Sequence, residues 1–168
     1  MKLRILAAAA ACAAAASVSA ASLTITSTAF QNNGEIPAKY TCDGAGVNPA
    51  LQFGGIPART KSLAIVVQDP DVPKNLKADG LFDHWVLWGI APTSKGIAEG
   101  EGKGGVNETG SSGYFGPCPP DREHRYFFRL YALDTTLTGK YSSVKDLEKA
   151  MQGHIVEQAE LVGRYKRP

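Results

Sequence analysis

Beyond residue 21, short apolar runs alternate with stretches rich in Gly, Pro and Asn, a pattern that predicts a mainly β fold. The continuous apolar run at residues 63–67 is typical of a strand that is buried on both faces. Residues 125–134 also carry large apolar side chains on both faces, so we expect this strand at the centre of a sheet. Further strands are predicted at residues 22–27, 50–53 and 82–90.

One segment near the end of the chain predicts a helix. Ser143 is followed three residues later by Asp146, as in a capping box, and apolar residues recur at helical spacing until Gly153. The tail at residues 155–165 alternates well enough to be a final strand, and a helix that continues through Gln158 is the alternative. We find no internal repeat and no linker, so we expect one domain.

The first twenty residues have the layout of an export signal, because two basic residues precede an almost unbroken apolar run that ends in small residues. We predict a signal peptide at residues 1–20, cut after Ala20, and a mature domain at residues 21–168 that is periplasmic or secreted. Two alternatives stay open. One is an uncleaved anchor, although the apolar run is shorter than the roughly 20 residues that span a bilayer. The other is lipidation at Cys12.

Removal of the signal changes the charge of the protein. The full chain has 18 Lys and Arg against 16 Asp and Glu, and Lys2 and Arg4 belong to the signal. Subtracting these two leaves 16 basic and 16 acidic residues, so the mature domain has a formal net charge of zero. A neutral domain lacks the broad basic field of nucleic-acid binders, so we expect no nucleic-acid partner.

The cysteine count also changes on export. Cys12 leaves with the signal, and Cys42 and Cys118 remain. An even pair in an oxidising compartment predicts a disulfide, and two separate buried thiols are the alternative. We expect no metal site, because no CxxC or nearby His completes a ligand set, and we expect no cofactor.

Candidate chemistry lies in three segments where strands give way to loops. At residues 69–73, two prolines stiffen a turn that holds Asp69 at the end of a buried strand. His84 interrupts the apolar run at 82–90, so its ring must meet a polar group, a cavity or water. Residues 110–120 form a Gly- and Pro-rich loop in which backbone N–H groups can converge on an anion.

None of these segments has the spacing of a familiar catalytic motif. The Gly-rich start of the 110–120 loop does not fit a nucleophile elbow, because Tyr114 stands where the last Gly belongs. The three His residues are widely separated, without an HExxH pair. Residues 99–105 are Gly-rich but lack the Ser or Thr that follows Lys in a phosphate loop, so we interpret them as a flexible connection.

The three segments, followed shortly by HRY at 124–126, occur in a defined order, with DPDVP at 69–73, HW at 84–85 and GPCPP at 116–120. In this order they resemble the phosphatidylethanolamine-binding protein family, and in particular its bacterial branch, often labelled Raf kinase inhibitor-like. The resemblance extends over effectively the whole mature chain, from about residue 23 to residue 167.

The resemblance implies a β-sandwich of antiparallel sheets with one or a few peripheral helices and one small surface cavity that accepts anions. Carried onto this sequence, the cavity is expected to be lined by Asp69, Pro73, His84, Gly116, Pro117, His124 and Tyr126. We expect His84 to supply positive charge and Asp69 to orient its ring and favour its protonated form. N–H groups of the 110–118 loop are expected to complete the site.

The implied function is that of an exported binding protein for a small anion, either phosphate or a phospholipid head group, rather than an enzyme. Relatives are also described as inhibitors, so inhibition of an exported protease or another protein is the first alternative. A hydrolase that uses Asp69 and His84 as an acid–base pair is the second alternative.

Overall fold

A computed structural model describes residues 22–168 of the chain, so the predicted signal peptide lies outside the described residues. The strands are β1 (Thr24–Ser27), β2 (Gly34–Glu35), β3 (Leu51–Gly54), β4 (Ser62–Asp69), β5 (Phe82–Ile90), β6 (Gly96–Ile97), β7 (His124–Leu133) and β8 (Ile155–Tyr165). A single turn of 3-10 helix spans Ala38–Tyr40, and the α-helix α1 spans Val144–Met151. Within residues 22–168, no helix is both long enough and apolar enough to cross a membrane.

The strands form two sheets, which confirms the mainly β sandwich. One sheet has three strands in the order β1-β3-β6, and the other has five in the order β2-β8-β7-β4-β5. All pairings are antiparallel except the two-residue contact between β2 and β8, which is parallel. The predicted central strand is β7, which lies between β8 and β4 in the middle of the large sheet.

The large sheet is covered on both faces, which explains why every residue of β4 is buried. Ile65 belongs to the core between the two sheets, together with Ile25 and Phe53 of the small sheet. The next residue, Val66, points to the opposite face and packs in a second cluster with Leu147 of α1. A strand with apolar contacts on both faces reads in the sequence as a continuous apolar run.

The ends of α1 follow the predicted signals. The Ser143 side chain accepts a hydrogen bond of 3.1 Å from the Asp146 backbone N–H, so it caps the helix. Gly153 follows with φ 80°, a conformation that glycine adopts without strain. The tail then pairs with β7 along its whole length as β8, so the alternative of a continued helix through Gln158 is wrong.

The Gly-rich stretch at residues 99–105 packs closely on β5 and is not the loose connection expected from its composition. A Cβ atom on Gly102 would lie 2.3 Å from the Trp85 ring, and one on Gly105 would lie 1.5 Å from the Val86 carbonyl oxygen. The Gly102 N–H also donates to the Asn48 side chain over 2.8 Å. The glycines therefore allow a close approach of two backbones.

Candidate functional site

A cavity of about 460 Å³ opens beside the end of β4 and the start of β5. Its apolar wall consists of Val72, Leu76, Phe82, Phe115, Cys118 and Pro120, and its polar groups belong to Asp69, Lys77, His84 and Glu108. A second depression of about 600 Å³ shares Pro120 with this cavity and includes Asp121 and Arg122. We take the smaller cavity as the candidate site, because it contains the two polar side chains that the sequence motifs single out.

His84 is held in one tautomer by the 110–120 loop, which packs against it. Its side chain is buried, and Nδ1 lies 2.7 Å from the Phe115 carbonyl oxygen. A carbonyl oxygen only accepts, so Nδ1 carries the hydrogen and Nε2 is left with a free lone pair when the ring is neutral. Aromatic rings of Phe82 and Phe115 flank the imidazole at centroid distances of 4.8 and 5.8 Å.

The expectation that His84 carries a positive charge is wrong at neutral pH. Burial lowers the pKa of His84 from 6.5 to about 4, although the hydrogen bond to Phe115 opposes this shift. The ring is therefore neutral at pH 7 and offers the cavity a hydrogen-bond acceptor. A ligand group that donates a hydrogen bond fits Nε2 better than an unprotonated anion oxygen does.

Asp69 does not orient His84, contrary to the expectation from the sequence. Its Oδ2 atom lies 2.7 Å from Nδ1 of His124, and its Oδ1 atom accepts the Asp71 N–H over 2.8 Å. Burial raises the pKa of the Asp69 carboxyl, and the hydrogen bond to His124 opposes the rise. Asp69 is therefore paired with His124, and not with His84 as the sequence led us to expect.

His124 and Tyr126 lie behind the cavity wall on β7, and neither is exposed. The second ring nitrogen of His124, Nε2, lies 2.8 Å from Oδ1 of Asp121, so the imidazole sits between two carboxyl groups. The Tyr126 ring packs edge-on against His84 at a centroid distance of 5.1 Å. The buried Tyr126 hydroxyl has no hydrogen-bond partner among residues 22–168.

The mouth of the cavity is lined by charged groups that the sequence motifs did not indicate. Lys77 Nζ lies 3.0 Å from Glu108 Oε1 and 2.7 Å from Asp79 Oδ2. The N–H groups of Leu76 and Lys77 both donate to the Pro73 carbonyl, so the proline shapes the turn that carries the rim. Their position just after the DPDVP turn is the one signal in the sequence that points to Leu76 and Lys77.

Cys42 and Cys118 form a disulfide that joins the cavity wall to the segment after the 3-10 helix. Beside it, the Cys42 N–H donates to the Pro117 carbonyl over 3.0 Å. A Cβ atom on Gly116 would lie 2.8 Å from the Tyr40 carbonyl oxygen, so glycine permits this close contact. Gly116 and Pro117 thus pack against the neighbouring segment, and Cys118 is the residue of this group that reaches the cavity.

The sequence model described as Phosphatidylethanolamine-binding protein matches residues 26–166. The chain belongs to this family. Among curated proteins it is similar to a UPF0098 protein of Chlamydia pneumoniae, with 46% identity over 147 residues that cover 85% of this chain and 98% of the relative. A UPF0098 protein of Methanothermobacter thermautotrophicus is 43% identical over 149 residues, which cover 83% of this chain and 95% of that protein.

Solved members of the phosphatidylethanolamine-binding protein family share the fold. The crystal structure of the homologue CT736 from Chlamydia trachomatis has a TM-score of 0.83 and 41% identity, covering 88% of this chain and 99% of that one. The crystal structure of E. coli YbcL, described as a new member of the mammalian family, has a TM-score of 0.79 and 26% identity, covering 88% of this chain and 100% of that chain.

The residues carried over from the phosphatidylethanolamine-binding protein motifs divide into two groups. Asp69 and His84 line the cavity directly. The others support it from outside: Pro73 through the rim turn, Gly116 and Pro117 through the disulfide segment, and His124 and Tyr126 from behind. Direct contact of these five residues with a ligand stays a prediction.

Proposed function

We propose that this chain is an exported binding protein that holds the phosphoethanolamine head group of a ligand in the cavity beside His84. The observation that carries the proposal is the contact between His84 Nδ1 and the Phe115 carbonyl. Burial keeps the ring neutral, and this contact holds the ring hydrogen on Nδ1, so Nε2 accepts a hydrogen bond. An ammonium group is a strong donor for such an atom.

The charges around the cavity suit a zwitterion better than a simple anion. Asp69 and Glu108 provide carboxyl oxygens that accept from an ammonium group, and Lys77 provides a cation for a phosphate. Lys77 is already paired with Asp79 and Glu108, so the mouth has no excess of positive charge to attract phosphate alone. Both ends of phosphoethanolamine find a group of opposite charge here.

The size and walls of the cavity support the same ligand class. Its volume of about 460 Å³ lies within the range of small-molecule sites, roughly 300–1,000 Å³. Val72, Phe82, Phe115 and Pro120 offer apolar surface to the carbon atoms next to the head group. The description of the matching family names phosphatidylethanolamine, which carries this head group. In our proposal the ligand comes from the cell envelope, because the N-terminal residues predict export.

Titration calorimetry with four related ligands tests this proposal. Phosphoethanolamine and phosphocholine carry the same charges, but the trimethylated nitrogen of phosphocholine has no N–H to donate. A hydrogen bond to a charged group is worth about 1.5–3 kcal/mol, so we expect phosphoethanolamine to bind about 10- to 100-fold tighter than phosphocholine. Ethanolamine and inorganic phosphate should each bind more weakly than the combined ligand.

Two results would contradict the proposal. Equal affinity for phosphoethanolamine and phosphocholine would show that no N–H donor is recognised. Inorganic phosphate binding as tightly as phosphoethanolamine would point to a simple anion site. The same samples, assayed for released ethanolamine and phosphate, separate binding from hydrolysis.

A further inference from the structure

A continuous hydrogen-bonded chain runs from the cavity to the neighbouring depression on the protein surface. Asp69 Oδ2 lies 2.7 Å from Nδ1 of His124, and Nε2 of His124 lies 2.8 Å from Oδ1 of Asp121. The side chains of Asp69 and His124 are 4% and 0% exposed, whereas that of Asp121 is 44% exposed. The chain therefore begins at a polar group of the cavity, passes through a fully buried ring and ends in solvent.

The two contacts of His124 determine how many protons the three groups hold together. A neutral imidazole has one N–H, and an ionised carboxylate has no hydrogen to donate. For both short contacts to be hydrogen bonds, the three groups must share at least two protons, and with two protons they carry a net charge of −1. The protons can lie on both ring nitrogens, or one can lie on either carboxyl group.

We propose that His124 and Asp121 form a proton path that sets the charge of Asp69 from the solvent side while a ligand occupies the cavity. In one transfer, the proton on Asp69 Oδ2 moves to His124 Nδ1 as the proton on Nε2 moves to Asp121 Oδ1. Asp69 becomes ionised, Asp121 becomes neutral, and the count of two protons is unchanged. Asp121 then releases its proton to water or buffer, and the reverse steps protonate Asp69 again.

The environment of the two carboxyl groups gives the path a direction. Burial raises the pKa of Asp69, so the carboxyl in the cavity tends to keep a proton when no cation is near. The hydrogen bond to His124 lowers the pKa of Asp121, so the exposed carboxyl releases its proton readily. A ligand ammonium beside Asp69 favours the ionised form and drives the proton outward. The ligand-dependent part of this inference rests on the proposed function, whereas the path itself belongs to the free protein.

Other groups around the path affect its titration but do not interrupt it. Asp71 donates its N–H to Asp69 and holds Arg125 at 2.8 Å, and Arg122 lies 3.9 Å from Asp121. The depression around Asp121 is also lined by Asp43, Lys166 and Arg167. The titratable groups of the cavity and its back wall are Lys77, His84, Glu108 and Tyr126. Comparisons between variants that leave all of these unchanged isolate the path.

The test is a nitrogen NMR titration of the ligand-free mature protein with labelled histidine rings. Asp121→Asn keeps the size of the side chain and removes its charge, so the group loses one carboxylate that stabilises the doubly protonated ring. We expect the midpoint of the joint titration, followed at the His124 nitrogens, to fall by about one to three pH units. Glu123→Gln is the matched control, because this neighbouring carboxylate pairs with Arg164. Equal midpoints in the two variants would overturn the path.

A second arm measures the proton released when phosphoethanolamine binds. Calorimetry in two buffers of different ionisation enthalpy gives this number, and we expect release in the wild type and in Glu123→Gln near the wild-type midpoint. Asp121→Asn should shift the pH of maximal release by the same amount as the free-protein midpoint. Absence of any binding would contradict the proposed function, and the ligand-free titration would still decide the path. Asp121→Ser, which also removes the charge, replaces Asp121→Asn if that variant does not fold.

Discussion

The Phe115 carbonyl oxygen lies 2.7 Å from Nδ1 of His84 and thereby leaves Nε2 as the acceptor of the neutral ring. The same residue donates its backbone N–H to the His84 carbonyl over 2.9 Å. This pair of contacts ties the Gly- and Pro-rich loop to β5 at the cavity.

Replacing His84 with Ala should weaken phosphoethanolamine binding by about 10- to 100-fold. The variant loses an acceptor for the ligand ammonium, and hydrogen bonds to charged groups are worth about 1.5–3 kcal/mol. Calorimetry at pH 7 measures the loss. His154→Ala serves as the control, because His154 is exposed and pairs with Asp134 outside the cavity. Unchanged affinity in His84→Ala would remove His84 from the site.

The stability of the protein should depend on pH through His84. Its folded pKa of about 4 lies below the unfolded value of 6.5, so between these pH values the unfolded chain binds more protons. The part of the free energy of unfolding that depends on His84 protonation is fully present above about pH 6.5 and is lost as the pH falls toward 4. Its total is on the order of 3 kcal/mol.

Urea unfolding of wild type and His84→Gln at pH 4.5 and pH 7 checks this dependence. The Gln amide can still donate to the Phe115 carbonyl but does not titrate. We therefore expect a smaller loss of stability on acidification in the variant than in the wild type. Equal losses in both proteins would show that His84 is not the group responsible.

Removal of the Cys42–Cys118 disulfide should reduce both stability and ligand affinity. The bridge spans 76 residues of sequence, and the loop-entropy estimate for such a span is about 4–5 kcal/mol. Affinity should fall as well, because Cys118 and Phe115 belong to the same wall of the cavity. Denaturant unfolding of the variant with Ser at both positions measures the loss of stability, and calorimetry measures the loss of affinity.

Intact-mass analysis after alkylation without reductant should find no free thiol in the exported protein.

Gly105→Ala should destabilise the protein much more than Gly110→Ala. Both glycines have positive φ, 71° and 78°, so both substitutions introduce backbone strain of about 1–2 kcal/mol. At Gly105 the new Cβ would also lie 1.5 Å from the Val86 carbonyl oxygen, whereas at Gly110 nothing lies within 4 Å. Denaturant unfolding of the two variants isolates the effect of the close approach, and equal losses would contradict it.

We predict that the protein is exported and that its mature chain begins near Ala21. This expectation comes from the basic start, the short apolar run and the small residues that precede the cut after Ala20. N-terminal sequencing of protein recovered from the periplasm or medium measures it directly. An intact Met1 end on protein confined to the cytosol would contradict export.

Local patterns in the sequence were enough for most of the secondary structure. The apolar run of β4, the two apolar faces of β7 and the Ser143 cap each depend on neighbouring residues, whose spacing reflects the period of a strand or helix. The order of the DPDVP, HW, GPCPP and HRY segments was likewise sufficient to indicate the family, which the sequence comparison then showed. Asp69 and His84 could be placed at the site for the same reason.

The partners and charges of these two residues were decided by the tertiary structure. Asp69 meets His124 across 55 residues of sequence, because the register of β4 with β7 places Gln68 opposite Phe127 and brings the adjacent strand ends together. His84 meets Phe115 across 31 residues, and burial of the ring makes it neutral. Hydrogen-bond partners and pKa values depend on distances and desolvation in the folded chain, and spacing along the sequence does not encode either quantity.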